Sequence, residues 1–341
     1  MKAAVLNNWK DLTMTDIDLP VPGEDEALIK VIYGGICGSD ITVYNGNHPT
    51  AKAPVVLCHE ILGTIEKLPD GYAGDFRKGE RVLMNPVITC GTCGACRCDI
   101  GNVCDNLKLM GIHVNGGFAQ YTKVNTEKLV HVSGDLPDTI AALGEPFAVG
   151  YHVNKRAGVH PGDKVLIIGA GTIGSVVGLC ARELGAGIVV VSEINPDRLA
   201  HARELGFGVI DAANEEVVKR AKELTGGDGF DIVIEASGSK AGVMMMTDVC
   251  RTGGTLMALS LSALPYEFPI GKVSFREMTL IGSRLYSHQD FKNGVMLLTQ
   301  LAQSRDLSSL ISEIMPLDEL PLALEKAKSG QCVGKILISC M

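Results

Sequence analysis

Lys164-Val165-Leu166-Ile167-Ile168-Gly169-Ala170-Gly171-Thr172-Ile173-Gly174 reads as a buried strand, a glycine turn and the opening of a helix. The helix follows from the apolar stripe Ile173, Val176, Val177, Cys180 and Leu184, which falls on one face. Each glycine has a separate use in that context. Gly169 permits the tight turn, Gly171 lets a pyrophosphate approach the backbone, and Gly174 lets helix and strand pack closely. The helix N-terminus at Thr172 and Ile173 offers unpaired N–H donors to phosphate oxygens. Glu193 closes the next strand, where a carboxylate accepts hydrogen bonds from an adenosine ribose and repels a 2′-phosphate, so NAD is expected rather than NADP. Arg198 could pair with a phosphate or stack on adenine. A glycine turn used for packing alone is the bland alternative.

Beyond that helix, Ile188 to Val191 reads as a second buried strand and Asn195-Pro196 as a cap with a first-turn proline. Helix stripes at Val217 to Leu224 and Val243 to Val249 alternate with strands at Phe230 to Ile234 and Thr255 to Leu259. Parallel strands need crossover connections, so this alternation predicts a doubly wound α/β domain of Rossmann type. Before Val132 the grammar differs: short apolar runs at Ala27 to Val31, Gly63 to Ile65, Arg81 to Met84 and Phe118 to Val124 predict a β-rich region. The pattern changes between residues 147 and 160. A further helix is predicted from near Ser287, with Phe291, Val295, Leu298 and Leu301 on one face.

The 341 residues suffice for about two domains. Thirty-one basic against 39 acidic residues give a net charge of −8 without a basic stripe, which argues against nucleic acid as a partner. The longest uncharged stretch is broken by glycines and makes a poor membrane span. Met1-Lys2-Ala3-Ala4-Val5 lacks the apolar core of a secretory signal, so a cytoplasmic location is expected. In that setting the 11 cysteines point to metal binding rather than disulfides.

Cys90, Cys93, Cys96 and Cys104 form C-x2-C-x2-C-x7-C, a thiolate cage suited to a closed structural Zn²⁺ site. An iron–sulfur cluster competes, although the last gap differs from the bacterial ferredoxin run. Cys98 is read as a spare thiol or a substitute ligand. Cys37-Gly38-Ser39-Asp40, Cys58-His59-Glu60 and Gly144-Glu145-Pro146 together supply thiolate, imidazole and carboxylates, enough for a zinc site whose fourth position stays open. His48, His113 and His152 are read as hydrogen-bonded structural residues.

These motifs carry a resemblance. In order and spacing, Gly35 to Asp40, His59-Glu60, the run from Cys90 to Cys104, Gly116 to Tyr121, Glu145-Pro146-Phe147 and the turn Gly169 to Gly174 resemble the zinc-dependent medium-chain dehydrogenases, the alcohol, sorbitol and threonine dehydrogenase family. Glu145-Pro146-Phe147 and Gly282-Ser283-Arg284 look most like bacterial sugar-acid and polyol dehydrogenases, such as the galactonate and idonate 5-dehydrogenases.

The resemblance implies a GroES-like catalytic domain over residues 1–147, a Rossmann NAD-binding domain over 148–283, and a segment 284–341 that returns to the catalytic domain, with the active site in the cleft between the domains. It implies two zinc ions per chain. Cys37, His59 and Glu145 would hold the catalytic one, Glu60 would exchange as a ligand or sit behind it, and the loop from Cys90 to Cys104 would hold the structural one. It also implies a homotetramer or homodimer. The expected reaction interconverts a secondary alcohol of a polyol or sugar acid and its ketone, with Ser39 passing on the proton and Arg284 and Tyr286 contacting substrate. L-Threonine 3-dehydrogenase activity and a non-catalytic nucleotide sensor of the same fold are the alternatives. Two positions depart from the family pattern: Cys58 stands where many relatives have glycine, and Thr42 where many have a relay histidine.

Overall fold

The computed structural model describes residues 1–260, 265–330 and 332–341. Its chain divides into two compact units, one of Met1–Glu145 with Ser287–Met341 and one of Pro146–Tyr286. The first break lies two residues before the expected 147 and the second three residues after the expected 283, so Arg284 and Tyr286 belong with the dinucleotide-type unit. Sequence pattern could not locate the first break because it falls in the first turn of the helix Gly144–Ala157.

The unit Pro146–Tyr286 is built on a six-stranded sheet in the order Gly208–Asp211, Ile188–Glu193, Lys164–Ile168, Phe230–Glu235, Cys250–Ala258, Thr279–Gly282. Every neighbouring pair is parallel, as crossover helices require. Lys164–Ile168 pairs with Ile188–Glu193 on one side and Phe230–Glu235 on the other, so the chain reverses its direction of progress at that strand. This is the switch point at which open α/β sheets bind ligands. One face of the sheet is filled by Leu166, Ile168, Val190, Ile210, Val233 and Leu256, capped by Ala221, Met246 and Val249 from the helices. Truncating Leu166, which is fully buried, to Ala would cost about 2–5 kcal/mol. The strand Gly208–Asp211 was not legible in sequence, since four residues are too few for a period to show. Thr279–Gly282 forms an edge of the sheet and is exposed along most of its length.

In the other unit the main sheet runs Leu129–His131, Arg81–Met84, Glu60–Lys67, Glu26–Gly35, Lys335–Ser339, Ile311–Pro316, and Tyr121–Asn125 also pairs with Glu26–Gly35. The strand Lys335–Ser339 is thus laid antiparallel against a strand some 300 residues earlier, with Leu337 opposite Gly35. The register of Glu26–Gly35 against Glu60–Lys67 sets Gly35 opposite Glu60. Together these pairings bring the ends of three distant segments to one place. Among the described residues no helix is long and apolar enough to cross a membrane.

Candidate functional site

Two groups of side chains among the described residues could hold a metal ion, and both lie in the unit containing Met1–Glu145. The first is Cys90, Cys93, Cys96 and Cys104. Their sulfurs are 4.0 Å apart for Cys90–Cys96, 3.5 Å for Cys93–Cys96, 3.8 Å for Cys93–Cys104 and 3.4 Å for Cys90–Cys104. A tetrahedron with Zn–S bonds of about 2.3 Å has edges of about 3.8 Å, so one zinc ion fits this cage. A cluster of several irons needs a wider one. Backbone N–H groups of Thr92 and Cys93 and the Thr92 hydroxyl draw the Cys90 thiol down to about 5, while desolvation and the neighbouring thiols push Cys96 up to about 11. Cys98 stands outside the cage. It is exposed, and its N–H closes the short helix Gly94–Arg97 by bonding Gly94 O at 3.1 Å.

The second group is Cys37, His59 and Glu60, whose ligand atoms all lie within 4.8 Å of one another. Cys37 precedes the helix Gly38–Tyr44, and its N–H donates to Asp40 Oδ2 at 2.8 Å. The other Asp40 oxygen accepts the Cys58 N–H at 3.1 Å and lies 4.0 Å from His59 Nδ1. One fully buried carboxylate therefore clamps both ligand-bearing loops. Burial pushes Asp40 up in spite of His59 and the two backbone donors. Burial also opposes a charge on His59, yet the Cys37 sulfur, Asp40 and Glu145 overcome it and lift the imidazole to about 10. So electronegative an enclosure favours a bound cation. His59 Nδ1 and Glu60 Oε2 are buried without hydrogen-bond partners, the condition expected of atoms that wait for a metal.

The third member of this set is Glu60, which the resemblance gives as an exchanging ligand or a residue behind the ion. Glu60 follows His59 directly, and strand register sets it against Gly35, where a Cβ would come within 2.2 Å of Glu60 Oε2. Glu145 is buried in the first turn of Gly144–Ala157, outside the close set, though its charge registers on both His59 and Lys335.

Lys335 carried no sequence signal, since it lies 275 residues from its partner. It is buried, its Nζ is 2.6 Å from Glu60 Oε1, and it also donates to Ile36 O at 2.9 Å. Burial disfavours its charge, but Glu60, Cys37 and Glu145 hold the ammonium well above the ordinary lysine range. Asp40 could have been found from the spacing of a capping box, with an acid three residues after the residue that starts the helix.

Ser39 Oγ is buried with no hydrogen-bond partner. Thr42, by contrast, spends its hydroxyl on Gly38 O at 3.0 Å. Cys58 has φ of +84°, a left-handed conformation that costs a side chain about 1–3 kcal/mol. Its backbone is enclosed so tightly that a Cβ on Gly116 would lie 1.9 Å from Cys58 O.

In the other unit the glycine turn has the geometry its residues foretell. Gly169 has φ of +103°, and a Cβ on Gly174 would lie 1.9 Å from Gly169 O. A Cβ on Gly171 would meet nothing within 4 Å, so open space lies above the start of the helix Thr172–Glu183. Thr172 and Ile173 are that helix's first two residues, and a phosphate fits there. Glu193 Oε2 accepts the Ala170 N–H at 2.8 Å, and Oε1 accepts from Ile194 at 2.8 Å and Asn195 at 3.0 Å. The carboxylate thus pins the turn and retains lone-pair capacity for a ribose hydroxyl. Arg198 lies in the first turn of the next helix, its N–H bonded to Asn195 Oδ1 at 3.1 Å. Arg284 is exposed, whereas Tyr286 is 1% exposed.

Two family models match the chain, the alcohol dehydrogenase GroES-like domain over residues 23–134 and the zinc-binding dehydrogenase over 172–300. L-galactonate-5-dehydrogenase of Escherichia coli (strain K12) is 34% identical over 292 residues, 85% of each chain. L-threonine 3-dehydrogenase of Chelativorans sp. (strain BNC1) is 32% identical over 99% of this chain and 98% of its own. Among solved structures, one described as a zinc-binding dehydrogenase of Sinorhizobium meliloti 1021, bound to NADP, superposes with a TM-score of 0.92 at 28% identity, covering 99% of this chain and 98% of that one. With a GroES-like domain, a Rossmann-type domain and these relatives, the chain belongs to the zinc-dependent medium-chain alcohol dehydrogenase family and is an oxidoreductase that uses zinc and a nicotinamide dinucleotide.

Proposed function

We propose that the enzyme interconverts a secondary alcohol of a sugar acid or polyol and the corresponding ketone, with NAD as the hydride carrier. The observation that carries the reading is the enclosed set Cys37, His59 and Glu60, with unpartnered atoms on two of its members. Zinc bound there would supply a Lewis acid, and nicotinamide would supply the hydride acceptor. Cys37 and His59 would hold the ion. Glu60 offers Oε2 while Lys335 retains Oε1, and Glu145 stands close enough to share in the field. The Ser39 hydroxyl would relay the proton leaving the substrate, accepting it as its own O–H proton passes on to water, and Thr42, bonded to Gly38 O, does not extend that path. Cys90, Cys93, Cys96 and Cys104 hold a second zinc with no position left for substrate.

Gly169, Gly171, Thr172, Ile173 and Gly174 would seat the pyrophosphate and Glu193 the ribose. The same Glu193 carboxylate would repel a 2′-phosphate, which favours NAD even though a structural neighbour carries NADP. Arg198 lies nearby for adenine or phosphate. The exposed guanidinium of Arg284 is offered for a substrate carboxylate, in keeping with the galactonate relative. L-Threonine is the second reading, favoured by a relative aligned over nearly the whole chain. The proposed assembly is a homodimer or homotetramer. The exposed edge strand Thr279–Gly282, with Leu280, Ile270 and Phe275 open to solvent, supports it. Cysteines of the cage that form no disulfide fit the reducing cytoplasm.

The test is nicotinamide reduction with NAD or NADP across hexonates, polyols and L-threonine, alongside zinc analysis. Turnover of a hexonate or polyol with NAD and two zinc ions per chain is expected. Turnover of threonine alone would transfer the assignment to the second reading.

A further inference from the structure

The strands on either side of Lys164–Ile168 both end in a carboxylate, and the dinucleotide reading above uses only Glu193. Glu235 closes the other strand, in register with Ile168, and is 1% exposed. Its Oε1 accepts the N–H groups of Ser237 at 2.9 Å and Gly238 at 3.0 Å and the Ser237 hydroxyl at 2.6 Å. Its Oε2 accepts the Ser260 hydroxyl. Among the described residues its partners are thus all neutral. A carboxylate held by dipoles alone keeps its field, which a paired ammonium or guanidinium would largely cancel.

The loop that covers Glu235 is wired in one direction. Ser237 gives its proton to the carboxylate, so its oxygen is left to accept, from the Ser239 N–H at 3.1 Å and the Ser239 hydroxyl at 2.9 Å. Ser239 Oγ in turn accepts the Gly242 N–H at 3.0 Å and caps the helix Lys240–Val249. Every N–H and O–H donor of Ser237, Gly238 and Ser239 is therefore spent within the loop, and a ligand meets lone pairs. The start of the helix Thr172–Glu183 is the reverse, offering N–H groups to phosphate. The two lips adjoin, since a Cβ on Gly169 would lie 3.0 Å from Ser237 Cα. Lys240 also stands at this lip, but it is exposed, and water and salt screen its charge as they cannot screen the buried one.

An open parallel sheet binds a dinucleotide across its switch point, one mononucleotide to each half. With the pyrophosphate at Thr172 and the adenosine ribose at Glu193, the nicotinamide half falls to the side of Phe230–Glu235. The oxidised nicotinamide ring carries a positive charge that the reduced ring lacks. We infer that Glu235 is a charge-selecting residue of the dinucleotide site, its buried carboxylate favouring the oxidised cofactor over the reduced one across the Ser237–Ser239 lip. The inference rests on the chain's use of a nicotinamide dinucleotide and on the seating of its adenosine half at Glu193, not on which alcohol is oxidised.

The test is equilibrium binding to the zinc-loaded full chain, with NADH followed by its fluorescence and NAD⁺ and ADP-ribose by competition against it. ADP-ribose has no nicotinamide and reports the rest of the site. Glu235→Gln keeps an acceptor for the three donors on Oε1 and lets the Ser260 hydroxyl turn to accept, so it removes charge with little change of shape. In that variant NAD⁺ affinity should fall roughly three- to tenfold relative to NADH, while NADH and ADP-ribose keep their ratio within about twofold. Glu235→Asp, which keeps the charge, should hold the NAD⁺ to NADH ratio within about twofold of wild type. Ser239→Asp still caps its helix and adds a negative charge at the same lip, so it should move the ratio the opposite way, and it carries the test if the glutamine variant does not fold. An NAD⁺ to NADH ratio unchanged in Glu235→Gln, or all three ligands weakened equally, overturns the inference, as does an unchanged ratio in Ser239→Asp. A wild type that binds NADP⁺ and NADPH instead has the same ratio read on that pair, so a wrong cofactor preference shows separately from a wrong role for Glu235.

Discussion

The two cages of the GroES-like unit are assembled in opposite ways. Cys90, Cys93, Cys96 and Cys104 fall within 15 residues, are all sulfur, and hold one another at ligand spacing through the local turns of a single loop. Cys37, His59 and Glu60 come from a helix start and a strand start, and each depends on a group that is not itself a ligand: Asp40 for the two loops, Gly35 for room, Lys335 for charge. A cage complete in one loop can staple but has nothing by which to be tuned. A cage that leans on distant residues can have its field adjusted, and it is fragile for the same reason.

The largest expected effect lies at the tuned cage. Cys37→Ala should lower kcat by ~10³-fold or more, about 4 kcal/mol in the barrier, with the chain still folded by circular dichroism. Equal activity in wild type and variant would erase the contrast between the two cages. Lys335→Met should cost about 3–5 kcal/mol in denaturant unfolding, because it strands a buried carboxylate. Adding Glu60→Gln should recover part of that stability while zinc affinity stays reduced by ~10–100-fold. A single variant as stable as wild type would show that the pair is incidental.

Ser39→Ala should reduce kcat by ~10²-fold and flatten its pH profile, with little change in bound zinc. Cys104→Ser should remove one of two zinc ions and lower Tm by a few degrees, leaving kcat per folded molecule within about twofold. A collapse of kcat there would mean that the staple reaches the chemistry.

The smallest effect is one of pH and belongs to neither cage. His288 has a folded pKa near 4 against the ordinary 6.5, so the unfolded chain binds the proton first as pH falls. Its contribution to stability is whole above about pH 6.5 and is lost progressively toward pH 4. His288→Gln should shallow that acid limb in urea titrations, and an unchanged limb would show that the ring titrates normally.

What could be read from sequence was what is local. The strand, turn and helix around Gly169 to Gly174 are written in consecutive residues, and so is the cysteine cage. The union of Cys37 with His59 was legible as a donor set and a resemblance but not as geometry, because it depends on strand register rather than on spacing. Lys335 could not be read at all: a lone lysine in an apolar strand carries no mark of the carboxylate it will meet 275 residues away. The burial of Tyr286 and the preference for Glu60 over Glu145 in the close set likewise follow from packing, which no window of sequence contains.

The strand Lys335–Ser339 lies between Glu26–Gly35 and Ile311–Pro316. During translation the contiguous stretch Pro146–Tyr286 can therefore fold as soon as it clears the ribosome, while the half made earlier must wait, its central sheet open on one side, until residue 339 emerges. A prematurely terminated product would keep Cys37, His59 and Glu60 yet lack the cation that neutralises Glu60, leaving an acidic, unclosed sheet for quality-control proteases to recognise.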